Sequence, residues 1–149
     1  MTIRKLLFAL LLGLGAAAQA QTHGAADART LLDRAVAYLE TKGPEAALAA
    51  YNDPKGPFIA DELYVFAFDL DGTYRASGAN PKLVGSPARD LRDAAGTPVT
   101  ATILDVAKTK GEGAVEYTWL DRKTNRIEHK ISLVKRVGDL VLGVGYYRP

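Results

Sequence analysis

Apolar residues repeat at helical spacing near the start of the chain and at strand spacing near its end. Leu31, Leu32, Ala35, Val36 and Leu39 share one helical face, so a helix is predicted over residues 25–41, stopped by Lys42-Gly43-Pro44. Pro44 has the fixed φ that suits a first helical turn, and the alanine-rich stretch 45–51 continues as a second helix. Residues 52–57, with two prolines and a glycine, read as a loop. The period changes at Leu63. Residues 63–68 are apolar and rich in aromatics, which predicts a strand buried on both faces. Asp71-Gly72 is a strong hairpin signal, and residues 73–77 return as a second strand. Residues 78–87 form a loop, and residues 98–108 a helix with Ile103, Leu104, Val106 and Ala107 inward. Three strands follow at 113–120, 126–137 and 140–147, separated by polar turns at 121–125 and Gly138-Asp139. This order predicts an α+β domain with an antiparallel sheet.

The first residues bear on the compartment. Arg4 and Lys5 precede an apolar run over 6–14, and Ala18-Gln19-Ala20 fits a small-x-small cleavage site. Residues 1–20 therefore read as a secretory signal peptide, cleaved before Gln21, leaving one domain over 21–149. The run is shorter than the roughly 20 apolar residues that span a bilayer, and no later segment approaches that length. The formal charge of +2 equals the contribution of Arg4 and Lys5, so the domain itself is neutral. A neutral domain gives no reason to expect nucleic acid as a partner. The absence of cysteine excludes disulfides, thiolate metal sites and thiol nucleophiles.

One motif invites a catalytic reading. "YVFAFDLDGT", residues 64–73, resembles the nucleophile motif of the haloacid dehalogenase superfamily, with Asp69 as the attacking carboxylate of a Mg-dependent phosphatase. That chemistry needs further carboxylates on separate loops to hold the metal. Asp90, Asp93, Asp105, Asp121 and Asp139 supply no paired acidic motif after a strand, and residues 73–77 look like a returning strand. An EF-hand reading lacks the third ligand position before Gly72 and the closing glutamate. His23 and His129 have no partner at metal spacing, and Ser77, Ser86 and Ser132 lack a nucleophile elbow. No catalytic residue, metal or cofactor is therefore assigned, and the chain is not read as an enzyme.

The last two strands predict a site. If Gly138-Asp139 is a two-residue turn, Val134 faces Gly143, Ser132 faces Gly145 and Lys130 faces Tyr147, all on one side of the sheet. Two glycines there leave space beside Lys130 and Ser132, and a lysine in a partly apolar space suits a carboxylate. Alternatively, Lys130 pairs with Glu116 across the hairpin. A one-residue slip in the 121–125 turn decides whether Glu116 or Tyr117 lies beside it. Tyr117 and Trp119 share a face, as do Tyr64 and Phe66, and these four are candidate walls. Arg75 and Asn80 are weaker candidates.

Two longer stretches, "GPFIADELYVFAFDLDGTYRASGANPKLVG" and "KTKGEGAVEYTWLDRKTNRIEHKISLVKRVGDLVLGVGYY", resemble the single Cache domain of the second type, a PAS-like extracellular sensor of bacterial receptors. The resemblance runs from about Ala25 to Tyr147 and rests on an ordered set. The set comprises Asn52-Asp53, Gly56-Pro57-Phe58, Asp-x-Asp-Gly, Asn80-Pro81-Lys82 and the run from Lys135 to Asp139. It implies a long N-terminal helix behind a five-stranded antiparallel sheet, with a small-molecule pocket on the other face. This chain has Leu133 where similar sequences often carry an aromatic. The expectation is a periplasmic binding or sensory module for a short-chain carboxylate, acting in signal transduction through a separate periplasmic or membrane protein. Its ligand-binding residues would be Tyr64, Phe66, Tyr117, Trp119, Lys130, Ser132, Gly143 and Gly145. The alternative is a protein-interaction module with no small ligand.

Overall fold

The computed structural model describes residues 22–148; the signal segment expected at 1–20 lies outside the described residues. Helix α1, Ala25–Lys42, begins where the Asp27 carboxylate accepts the Gly24 N–H at 3.0 Å. It buries Ala28, Leu31, Leu32, Ala35, Val36 and Leu39, the stripe predicted from spacing. Each fully buried leucine contributes about 1.5–3 kcal/mol. Helix α2, Pro44–Tyr51, folds back on α1, and the buried Tyr51 hydroxyl donates to the Ala35 carbonyl.

The sheet is antiparallel and contains the five main strands expected. Strands β2, Leu63–Asp69, β3, Tyr74–Ser77, β4, Glu112–Asp121, β5, Arg126–Val137, and β6, Leu140–Tyr147, run in spatial order β3-β2-β6-β5-β4. A sixth strand of two residues, β1, Ile59–Ala60, shares the outer edge of β2. It carries no pattern long enough to read from sequence. Helix α1 covers one face, where Leu63, Val65, Ala67, Leu140, Leu142 and Val144 form its core. The other face packs against helix α3, Val99–Lys110, through Phe66, Phe68, Val115, Tyr117, Val134 and Val141. The two cores use alternate residues of the same strands, as period two requires.

Residues 78–98 cross that second face and are pinned at both sheet edges. At one edge the Tyr74 N–H donates to Ser86 O at 3.0 Å, and the Gly85 N–H to Tyr74 O at 2.8 Å. At the other edge, the Asp93 carboxylate accepts the Thr118 N–H at 2.8 Å and its hydroxyl at 3.1 Å. An unpaired edge amide of β4 is thereby covered.

The Asp-x-Asp-Gly-Thr motif is a turn, and a second copy in the chain shows why. Asp69 Oδ1 accepts the N–H groups of Asp71 at 3.0 Å and Thr73 at 2.9 Å. Asp93 Oδ1 does the same with Ala95 at 3.0 Å and Thr97 at 2.7 Å. In both, the glycine N–H returns to the aspartate carbonyl, and the aspartate N–H reaches the threonine carbonyl. Gly72 and Gly96 adopt φ of 87° and 85°, conformations a side chain resists. The second copy, Asp93-Ala94-Ala95-Gly96-Thr97, lacks the second aspartate and makes the same bonds. The pattern is therefore sufficient as backbone chemistry.

Candidate functional site

A cavity of about 350 Å³ lies between the sheet and the crossing segment, within the roughly 300–1,000 Å³ of small-ligand pockets. Its floor is Tyr64, Phe66 and Phe68 of β2 with Tyr117 and Trp119 of β4. Tyr74 and Ser77 of β3 form one side; Ala79, Asn80, Leu83 and Leu91, with Val99 and Ile103 of α3, form the roof. Arg122 stands at the far end, and no aspartate or glutamate lines the cavity. Tyr117 and Trp119 pack edge to face, with centroids 5.8 Å apart at 85°, while the Phe66–Phe68 and Phe68–Tyr74 pairs are tilted.

Behind this floor sits Lys130, with only 1 % of its surface exposed. Its Nζ donates to Tyr64 Oη at 3.1 Å and lies over the rings of Tyr64 and Tyr147, 4.5 and 5.0 Å from their centroids. Among the described residues no carboxylate lies within ion-pairing distance of it. Two aromatic faces and one phenol oxygen are incomplete compensation for a buried cation. Because Tyr64 Oη accepts from Lys130, its own hydrogen is free to donate, and Tyr64 lines the cavity. Tyr64 thus links the buried ammonium to the cavity wall.

The other phenols stay neutral donors. Burial, followed by the proximity of Tyr64, pushes the Tyr74 hydroxyl up to about 12. Burial pushes Tyr117 and Tyr147 further above the usual phenol range, again with Tyr64 as the next cause. Tyr117 Oη and Ser132 Oγ are 2.7 Å apart and satisfy each other.

The register across the last hairpin matches the two-residue turn: Val137 pairs with Leu140, Val134 with Gly143, Ser132 with Gly145 and Lys130 with Tyr147. On the other side, Lys130 pairs with Tyr117, which resolves the two registers left open. Glu116 points to the opposite face, where it meets His129 at 3.1 Å and Arg148 at 2.8 Å. The glycines hold protein rather than empty space. A Cβ on Gly143 would strike the Phe66 ring, and one on Gly145 would strike Lys130 Cε and approach Ser132 Oγ to 2.6 Å. Of the eight residues named from sequence, Tyr64, Phe66, Tyr117 and Trp119 line the cavity; Lys130, Ser132, Gly143 and Gly145 lie behind it. Asp69 and Arg75 border a different groove, beside Leu39, Leu48 and Leu140. Sequence reading missed Tyr74, Arg122 and the roof apart from Asn80, which it named as a weaker candidate. The apolar residues Leu83 and Leu91, unusual in a loop, were a signal that could have found the rest of it.

Comparison with solved structures gives the same fold. A methyl-accepting chemotaxis protein from Vibrio parahaemolyticus RIMD 2210633 superposes with a TM-score of 0.70 at 22% identity, covering 82% of this chain and 86% of that one. A periplasmic sensor domain of a chemotaxis protein gives 0.65 at 23% identity, covering 81% and 88%. A Cache chemosensory domain described for carboxylic acid recognition gives 0.62 at 23% identity, covering 80% and 85%. No curated protein matches. The family model for single Cache domain 2 matches residues 20–148. The chain belongs to the single Cache domain 2 family.

Proposed function

We propose that this protein is a periplasmic sensory module that binds a short-chain organic carboxylate in the cavity beneath residues 78–98. The observation that carries this reading is Lys130. It is a buried cation without a carboxylate partner among the described residues, and it hydrogen-bonds to the hydroxyl of Tyr64, a residue that lines a cavity with no acidic side chain in its wall. A ligand carboxylate accepting from Tyr64 Oη would complete the series from ammonium to phenol to anion, and charge-assisted bonds of this kind are strong. The apolar roof and aromatic floor would hold the ligand's carbon chain, and the volume leaves room for several carbons. The chemosensory neighbour described for carboxylic acid recognition supports the same ligand class. Export by the N-terminal signal would place the domain in the periplasm. No helix among the described residues is long and apolar enough to cross a membrane, and the output would pass through a separate signalling protein.

A thermal-shift screen of short monocarboxylates tests the proposal. An acid present at a hundred times its dissociation constant stabilises the folded state by about 2.7 kcal/mol. The variant Lys130→Met keeps the buried volume and should fold, yet lose that response. Stabilisation by no acid, or an equal response in Lys130→Met, would favour a protein-interaction module instead.

A further inference from the structure

Glu62 is 7% exposed, and its Oε2 accepts no hydrogen bond. A buried carboxylate oxygen without a partner is costly and needs a cause. The fold brings two other ligand-type side chains beside it. His23 precedes α1, and its backbone N–H donates to Glu62 Oε1 at 3.1 Å. Its Nε2 lies 3.2 Å from Asp61 Oδ2. One atom from each of His23, Asp61 and Glu62 lies within 4.8 Å of the others. Two ligands on a tetrahedral metal with bonds of about 2.0–2.2 Å stand about 3.4 Å apart. The His23–Asp61 separation already meets that geometry, and Glu62 would need to close in from within 4.8 Å.

We propose that His23, Asp61 and Glu62 form a divalent-cation site, with zinc as the metal that one imidazole and two carboxylates suit best. A water would take the fourth position. The bound ion would neutralise the orphaned Glu62 oxygen and fasten the entry of α1 to the turn before β2. Asp27 of α1 stands close by, its carboxylate 3.6 Å from His23 Nδ1 and accepting the Gly24 N–H at 3.0 Å. Arg122 and Lys123 share the recess with Asp61 and Glu62. Their charge lowers the affinity for a cation, so the expected binding is weaker than that of a closed structural zinc site. The residues are 38 and 39 positions apart in sequence, so spacing alone could not group them.

Calorimetric titration of zinc chloride into the tag-free protein tests this, with thermal unfolding as a second readout. The expected result is one zinc per chain and a rise in unfolding temperature. His23→Ala and Glu62→Gln should each lose at least about tenfold in affinity while keeping the wild-type response to carboxylates. His23 is only partly buried and belongs to neither hydrophobic core, so its replacement leaves both cores intact. No zinc-dependent heat or thermal shift, or the same affinity in both variants, would overturn the proposal. The carboxylate reading rests on other residues and stands or falls separately.

Discussion

Lys130 is the residue on which the proposed carboxylate recognition rests. Its stem lies across Gly145, where any Cβ would collide with it, and its ammonium ends between two aromatic rings. An arrangement made for stability alone would replace it with an apolar residue, because an isolated buried charge lacks full compensation. Lys130→Met should therefore keep unliganded stability within about 1 kcal/mol of wild type while removing carboxylate binding. Denaturant unfolding with and without the acid measures both effects. Gly143→Ala is expected to act differently. The added methyl must push Phe66 into the cavity, at a cost of about 1–3 kcal/mol typical of overpacking. A variant with wild-type stability and unchanged binding would show that Phe66 is not held as described. The pairing of Lys130 with Tyr147 was legible from the two-residue turn, because that turn fixes the register. The pairing with Tyr117 was not, because the longer connection over residues 122–125 allows either register.

At the scale of elements, the crossing segment matters most. The strands and helices flanking it were read within two residues of their observed ends, since their periodicity reports burial directly. The path of residues 78–98 was not readable, because side-chain bonds to distant strands fix it. Asp93 is the clearest example. Its hydrogen bonds, led by the Thr118 amide, lower its pKa from 3.8 to about 2. A carboxyl made more acidic by folding stabilises the native state when ionised. That contribution is complete above the ordinary aspartate value of 3.8 and is lost as pH falls towards about 2. Asp93→Asn should thus lower stability at neutral pH and flatten the loss between those two values, as measured by urea midpoints across the acid range. An unchanged acid limb would mean that Asp93 does not anchor the roof. Asp69 makes the matching turn between β2 and β3: its carboxylate accepts two backbone N–H groups, and nearby Gly72 meets the Arg89 backbone closely.

For the molecule as a whole, the sheet separates two cores with different work. The face under α1 is filled by aliphatic side chains at helical and strand periods. The other face places aromatics around a cavity and a cation behind it. Family membership was legible because motifs such as Asn52-Asp53 carry structural bonds. Asn52 accepts the Ser77 N–H at 2.9 Å and donates to Arg75 O at 3.1 Å, joining α2 to β3. The ligand is a different matter, because its chemistry depends on what the irregular roof brings over the floor. The account's central claim is that the cavity reads the negative charge of a carboxylate through Tyr64 and Lys130. Calorimetric comparison of the best-binding acid with the primary amide of the same carbon skeleton tests it most directly. The account predicts saturable binding of the acid and at least a tenfold weaker response to the amide, about 1.4 kcal/mol. Equal affinity for the two compounds would contradict it.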